Sequence, residues 1–492
     1  VGPSRFAVSA WDASPITPDW LLDQFMVLGL SSPQLAQSLS RQPERIFRLS
    51  RLHREVRMAS GPAIAPTSIE TKTIQKLRIR ILPYLFLLYV IAYLDRINIG
   101  FAALTMNKEL AITSEQFGLL VGIFFIGYFL FEIPSNLLLH KIGARIWIAR
   151  ILLTWGIVAT LTGFVQTVHQ LYVARFLLGL AEAGYVPGIY LYLTYWFPRR
   201  EQARAIAMFL TGLPVASIVG APLSGYILDH AYWLSVASWR WLLILEGIPA
   251  IIFGFLTYFL LPCRPQEAGF LTENEKECIQ AELKCEELGK LKQRQYSVLQ
   301  ALTCGRVWYL VLIYSGMMVG RHTMSFWSPQ IIKALSGGYS NSTIGLLVMV
   351  PSLAGVAAMI LISRSSDRKL ERKYHVAIPA ITAAFAIALL GTTRSPFLAV
   401  TLLSFAEIGL CGFLAPFWAM PSEFLSGLAV AAGFALINSV GNLGGFVGPS
   451  AVGLIKQRTG SLYGGLAFVS ICLLIASTLV LLLPKKGHVP IR

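Results

Sequence analysis

The chain has 492 residues, 55% of them hydrophobic and only 13% charged, and its mean hydropathy is +0.63. That is about half the charge of an average soluble domain, and so much apolar surface does not fit inside a water-soluble core. The net charge of +16, from 41 Lys and Arg against 25 Asp and Glu, would suggest nucleic acid in a soluble chain. Here the bases fall in loops and tails between apolar stretches, where they set membrane orientation instead, so no nucleic-acid partner is expected.

Residues 1–75 are expected to be a disordered N-terminal extension. They mix Pro, Ser and Arg around one apolar piece, Leu21–Leu30, too short to span a bilayer. No charged-then-apolar leader with a small-residue cleavage site is visible, and with an initiator available at Met58 part of the extension is expected to precede the native start. Twelve apolar spans follow, at about 81–105, 117–139, 146–166, 171–193, 204–228, 240–262, 307–332, 342–363, 374–392, 396–420, 428–454 and 462–484, each near the roughly 20 residues that cross about 30 Å of hydrocarbon. The fold expected is an all-α membrane protein with two six-helix bundles, 76–262 and 304–492, the second ending in a short tail. Between them lies a cytoplasmic linker, 263–303, whose run from Leu271 to Lys292 has helix-forming composition.

An even number of spans puts both ends on one side. The loops bearing His140, Lys141 and Arg145, then Arg199, Arg200 and Arg204, then Arg364, Arg368, Lys369, Arg372 and Lys373 share that side with Lys72–Arg80 and Lys485–Lys486. The positive-inside rule makes it the cytoplasm, in a multi-pass protein of the plasma (inner) membrane. The halves echo each other. Asp367–Arg368 matches His140–Lys141 and Pro449 matches Pro222 at one offset of 227 (367 − 140 and 449 − 222), as expected of two structural repeats around a midplane site.

Ionisable side chains inside a span cost at least about 2.5–3.5 kcal/mol each, so each needs a partner, a wet cavity or a function. They are Asp95 and Arg96 in the first span, Glu132 in the second, Arg175 and Glu182 in the fourth, Glu246 in the sixth, Arg321 and His322 in the seventh and Glu407 in the tenth. Arg175 and Glu182 are seven apart and project from one helix face. Asp95, Arg96, Arg175 and Glu182 form either a permanent self-neutralising network or a working site. The working reading suits them better: desolvated carboxylates exchange protons near neutral pH, and arginines offer a fork to a carboxylate substrate. Tyr93 and Tyr128 add hydroxyls at cavity depth.

The same offset makes His322 the counterpart of Asp95, with Arg321 beside it. Arg321 lies either on the opposite wall of an anion-attracting cavity or on an outer rim, and His322 either titrates or packs. Glu132 and Glu246, each near a proline, read as structural carboxylates bonding loop bases or freed backbone donors, and Glu407 stays undecided. Trp418 and Asn438 are candidates to stack on and hydrogen-bond substrate from the second half, with plain packing the alternative for the indole. The six cysteines show no metal-ligand spacing, and no cofactor, nucleophile and base pair or phosphate loop is present to suggest an enzyme.

Several stretches in order carry a family resemblance: Tyr93-Leu-Asp-Arg-Ile-Asn-Ile-Gly100, Gly179-Leu-Ala-Glu-Ala-Gly-Tyr-Val-Pro-Gly188, Tyr195-Trp-Phe-Pro198 with Glu201–Ala205, Trp239–Pro249, Ser366–Arg368 with Glu371–Arg372, and Asn438–Pro449. Over about 80–485 the chain resembles the anion:cation symporter family of the major facilitators. The resemblance implies proton coupling at Asp95 and Glu182, and substrate binding by Tyr93, Arg96, Tyr128, Arg175, Trp418 and Asn438. It also implies a conformational latch at Asp367 and Arg368. The first-half copy of that latch departs from the family pattern, with Asn136 for the usual Gly and His140 for the usual Asp, and the Arg321–His322 pair is not one associated with the family's sugar-acid carriers. The expected function is uptake of a small organic anion (tartrate, a sugar acid or an aromatic carboxylate) with protons by alternating access, in a protein that works as a monomer. The alternatives are a facilitator or exchanger without proton coupling and a non-transporting membrane sensor.

Overall fold

A computed structural model describes residues 68–292, 303–369, 371–421 and 428–483, all of them in helices and short connections. The first six spans are built from α1 (Ser68–Glu109), α2 (Ser114–Ile142), α3 (Ala144–Thr162), α4 (Val168–Glu182), α5 (Tyr185–Thr194), α6 (Arg199–Leu210), α7 (Gly212–His230) and α8 (Ser238–Leu260). The linker helix is α9 (Glu273–Lys292). The second six are built from α10 (Gly305–Leu335), α11 (Asn341–Lys369), α12 (Lys373–Leu390), α13 (Pro396–Gly412), α14 (Leu414–Ala419), α15 (Leu428–Gly441), α16 (Gly444–Thr459) and α17 (Tyr463–Leu482).

One expected boundary moves: α1 already begins at Ser68, so residues 68–75, assigned above to the disordered extension, are helix. The rest of that extension lies outside the described residues. The linker is also less solvated than its composition suggests. Lys76 pairs with Glu275, Arg200 with Glu282 and Arg145 with Glu267, while the backbone N–H of Arg199 donates to Glu286, so the linker helix lies against the first bundle.

The structure makes twelve spans in two sixes, but only ten of the described helical stretches are long and apolar enough to cross a membrane on that ground alone. The other two are instructive. α10 carries Arg306, Arg321, His322 and Lys333, and the eleventh span is split into α15 and α16, of 14 and 16 residues. Splitting recurs in register. The fourth span breaks between α4 and α5, the fifth between α6 and α7, the tenth between α13 and α14 and the eleventh between α15 and α16. Fourth matches tenth and fifth matches eleventh, so the discontinuous helices are the same members of the two repeats, as repeat-built transporters arrange them.

Local chemistry explains the ends. Thr113 with Gln116 and Thr167 with Gln170 form reciprocal capping boxes that start α2 and α4. The break after α4 falls at Gly184, whose φ of +82° is left-handed backbone that favours glycine. In the Trp239–Pro249 stretch, Trp239 Nε1 donates to Glu109 at 2.7 Å, and Arg240 reaches Glu109 and the carbonyls of Gly163 and Val165. That motif therefore ties three helix ends together.

The halves meet through α2 against α16, α7 against α11 and α1 against α10. On the face away from Ser68 and Leu483 the approach is backbone to backbone. A Cβ on Gly118 would lie 2.4 Å from the carbonyl of Pro449, on Gly453 2.3 Å from that of Ser114, on Gly225 2.4 Å from that of Asn341 and on Gly345 2.3 Å from that of Ala221. Missing side chains let the helices touch. Asp229 locks the same face: its two oxygens accept from Asn341 N and Nδ2 and from Ser342 N and Oγ, at 2.7–3.1 Å.

Candidate functional site

Buried charge gathers between these closures. Arg96 of α1 donates to Glu182, the last residue of α4. Its guanidinium stands 5.4 Å from the ring centre of Phe124 and 5.6 Å from that of Tyr128. The helix break at Gly184 fixes where Glu182 ends up, and Gly179, whose added Cβ would lie 2.1 Å from the Phe124 carbonyl, brings α2 and α4 close enough to slide that phenyl between two arginines. The second is Arg175, 5.2 Å from the same ring.

Arg175 is 1% exposed, and its Nε and Nη2 have no hydrogen-bond partner among the described residues. The two carboxylates near it are engaged elsewhere. Glu182 is on Arg96, and Asp95, 2% exposed, accepts from Trp155 Nε1 and from Asn98 Nδ2 at 2.9 Å. A buried guanidinium with two unfilled donor atoms is among the costliest groups a protein can hold.

Tyr93 is the bridge between halves. Its hydroxyl accepts from Arg321 Nη2 at 3.4 Å, which places Arg321 inside the protein, 8% exposed, and off any outer rim. Arg321 also reaches the carbonyl of Leu410 at 3.4 Å and the thiol of Cys411 at 3.5 Å, and that thiol in turn donates to Glu407 at 3.4 Å. His322 packs its ring 4.3 Å from Phe125 and shares a hydrogen bond with Asn442 at 3.3 Å. Asn438 donates to Glu132 across the halves at 2.9 Å. Trp418 sits in an aromatic cluster with Tyr314, Phe417 and Phe434.

Tyr93, Arg96, Tyr128, Glu182 and Arg321 thus come together, with Arg175 beside them. Two sequence readings are corrected. Glu132 does not bond a loop base: it binds Asn438 of the other half. Glu246 accepts from Ser224 at 2.9 Å inside the first bundle and likewise meets no base. The partners differ from those expected because a helix end near a proline usually exposes backbone donors, whereas these helices continue past Pro134 and Pro249. Trp155, Phe124 and Asn98 were missed. Asn98 had a local signal, lying three residues after Asp95 on the same helix face.

Asp367 and Arg368, where the resemblance leads to the expectation of a latch, lie at the end of α11. Asp367 pairs with Arg372 at 2.5 Å, which also holds Ser366, while Arg368 lines a groove with Leu361, Arg364, Ser365 and Lys369. In the first half, Asn136 bonds the carbonyl of Glu132 one turn back; the side chain of His140 lies outside the described residues.

Twelve spans in two repeats, broken at matching helices and converging on buried charge at their junction, define a solute transporter of the membrane. Residues 85–449 match the model of the Major Facilitator Superfamily, and the chain belongs to that family. It is 45% identical over 424 residues, 86% of this chain and 94% of the other, to an Agrobacterium vitis protein named "Putative tartrate transporter". It is 38% identical, over 85% of this chain and 96% of the other, to the "Quinolone resistance transporter" of Acinetobacter baumannii. The fold matches that of the xylose transporter XylE from E. coli in a partially occluded inward open conformation, with a TM-score of 0.67 at 15% identity, over 84% of this chain and 100% of that one. The two relatives, at 45% and 38% identity, carry different cargo names, so kinship alone does not choose the cargo.

Proposed function

We propose that the protein takes up a small organic anion, such as tartrate, a sugar acid or an aromatic carboxylate, together with protons. Arg175 carries the proposal: a guanidinium sealed from water with two donor atoms unfilled is a place for a carboxylate fork. Arg96 is the second anchor, freed when Glu182 takes a proton and lets go of it. Asp95 is the other proton carrier, because it is buried beside Arg175 and its two donors, Trp155 and Asn98, remain available whether or not it is ionised. Tyr93, Tyr128, Arg321, His322, Trp418 and Asn438 complete the lining.

With the termini in the cytoplasm of a plasma (inner) membrane protein, the glycine contacts and the Asp229 lock close the outer side, leaving the site to communicate inward. The 45% identity to a protein named for tartrate transport supports an anion cargo. The working unit is the monomer, since each chain holds both halves of its own site. The test is uptake into proteoliposomes with and without an imposed proton gradient. The native protein accumulates substrate only with the gradient. An Asp95→Asn protein that accumulated substrate to the native level would remove Asp95 from the coupling, and native accumulation that ignored the gradient would leave an exchanger or facilitator.

A further inference from the structure

The second half contains a pair that repeats the Arg96–Glu182 pair. Arg321 and Glu407 lie 225 positions beyond Arg96 and Glu182 (321 − 96 and 407 − 182), two residues out of the register that pairs His322 with Asp95, but on the helices that hold the same places in the two repeats, α10 for α1 and α13 for α4. The glutamates sit in matching tetrapeptides, Ala181-Glu182-Ala183-Gly184 and Ala406-Glu407-Ile408-Gly409. Arg321 is buried and Glu407 half-buried, and each charge inside a span is costly, so the pair calls for a role.

The two pairs differ in tightness. Arg96 bonds Glu182 directly, whereas Arg321 reaches Glu407 through the Cys411 thiol, over contacts of 3.5 and 3.4 Å, and its bonds to Leu410 and Tyr93 are also 3.4 Å long. The Arg321 fork is therefore loosely held and open to a better acceptor. Arg321 of α10 and Cys411 of its own helix are the charged and titratable groups that face Glu407; Tyr93 of α1 and Tyr314 and His322 of α10 surround Arg321. Tyr93 lies between the two arginine systems.

We propose that Arg321 and Glu407 form a second arginine clamp facing the first across Tyr93, and that the cargo is a dicarboxylate with one carboxylate for each half. This rests on the organic-anion reading above and narrows it. In the empty protein each glutamate serves its arginine as counter-ion. An arriving dianion displaces both, and the displaced Glu407 carboxylate takes up a proton that enters from the same side as the cargo. A monocarboxylate engages one half and leaves the other arginine on its glutamate, so it supplies no attraction between halves, which is what drives closure around cargo.

The test uses the full chain in proteoliposomes with two pairs of probes, tartrate against threonate (tartrate with one carboxylate reduced to CH2OH) and phthalate against benzoate. The expected result is a preference for the diacid of about tenfold or more in at least one pair, the size of one charge-assisted hydrogen-bond set. Arg321→Gln is expected to collapse that ratio to near one, and Arg321→Lys, which keeps charge but loses the fork, to give an intermediate ratio if the Gln variant does not fold. Glu407→Gln is expected to bind the diacid with a flatter pH dependence than the native protein, whose diacid affinity rises on acidification as Glu407 releases Arg321. An unchanged ratio in Arg321→Gln or Arg321→Lys, a native pH slope in Glu407→Gln, or a native protein that handles monoacids as well as diacids overturns the second clamp and leaves the organic-anion reading standing. Failure to bind or move any of the four probes overturns both.

Discussion

Arg175 permits a prediction in which binding and stability move in opposite directions. Arg175→Met keeps the length and the contact with Phe124 but removes the charge. In the empty protein that charge is buried, with Nε and Nη2 unpartnered, a penalty of several kcal/mol. Part of it is offset by the ring of Phe124 at 5.2 Å, worth about 1–2 kcal/mol in a desolvated setting, and part by attraction to Asp95 and Glu182. With the unpartnered charge gone, Asp95 can take a proton rather than stand as a stranded carboxylate, so the empty Arg175→Met protein should unfold at or above the native temperature. Its substrate should gain nothing from that stability. Loss of a charge-assisted fork costs about 1.5–3 kcal/mol, or about 10–100-fold in affinity. Thermal unfolding in detergent with and without tartrate reads both quantities at once. A variant that unfolds several degrees early yet keeps the full substrate-induced shift would show that Arg175 is a structural cation, and the reasoning would fail.

Three further outcomes follow from the closures and the loops. Gly118→Ala places a methyl 2.4 Å from the Pro449 carbonyl; it should push the halves apart on that face, seen as longer spin-label distances across it, and unchanged distances would mean that the contact does not close the gate. Asp229→Asn removes the charge that accepts four hydrogen bonds at the start of α11. A charged cap of this kind is worth about 1–2 kcal/mol, so the closed population should fall about tenfold and the same labels should report it. Glu371 lies outside the spans. Burial works against its charge, but the amide of Tyr374 and the ring and amide of His375 outweigh burial and hold the carboxyl below its usual range. A depressed carboxyl stabilises above its unfolded pKa, and that contribution is lost as pH falls through the folded value. Glu371→Gln should therefore speed amide exchange at Tyr374 and His375 at neutral pH and make no difference in strong acid.

The span pattern was legible because lipid demands about 20 apolar residues at a time, and the repeats because two landmarks shared one spacing. The buried charges were legible for the opposite reason, as interruptions of that pattern. Their partners were not. Asp95 with Trp155 and Glu132 with Asn438 join residues 60 and 306 positions apart, and nothing in either local sequence marks the other. Nor was the loose hold on Arg321, since nothing in the sequence marks the Cys411 thiol as lying between its guanidinium and the Glu407 carboxylate.

What the structure adds is a division of labour between backbone and side chain. On the closed face the halves meet as glycine against carbonyl, contacts that exist only at full approach and vanish within an ångström or two of separation. Around the site they meet through Tyr93 with Arg321 and Asn438 with Glu132, polar contacts able to exchange partners with cargo. A sharp contact at one end and an exchangeable one in the middle would give the protein two packings separated by little free energy. Cargo would then need only to change the middle for the end to open. If so, spin labels on the closed face of Glu132→Gln, which keeps the shape and an acceptor oxygen but loses the charge, should still report a closed empty protein. A Glu132→Ala variant, which strands the Asn438 amide, should open it. Both variants opening alike would show that the middle contact is as rigid as the end and that the division does not hold.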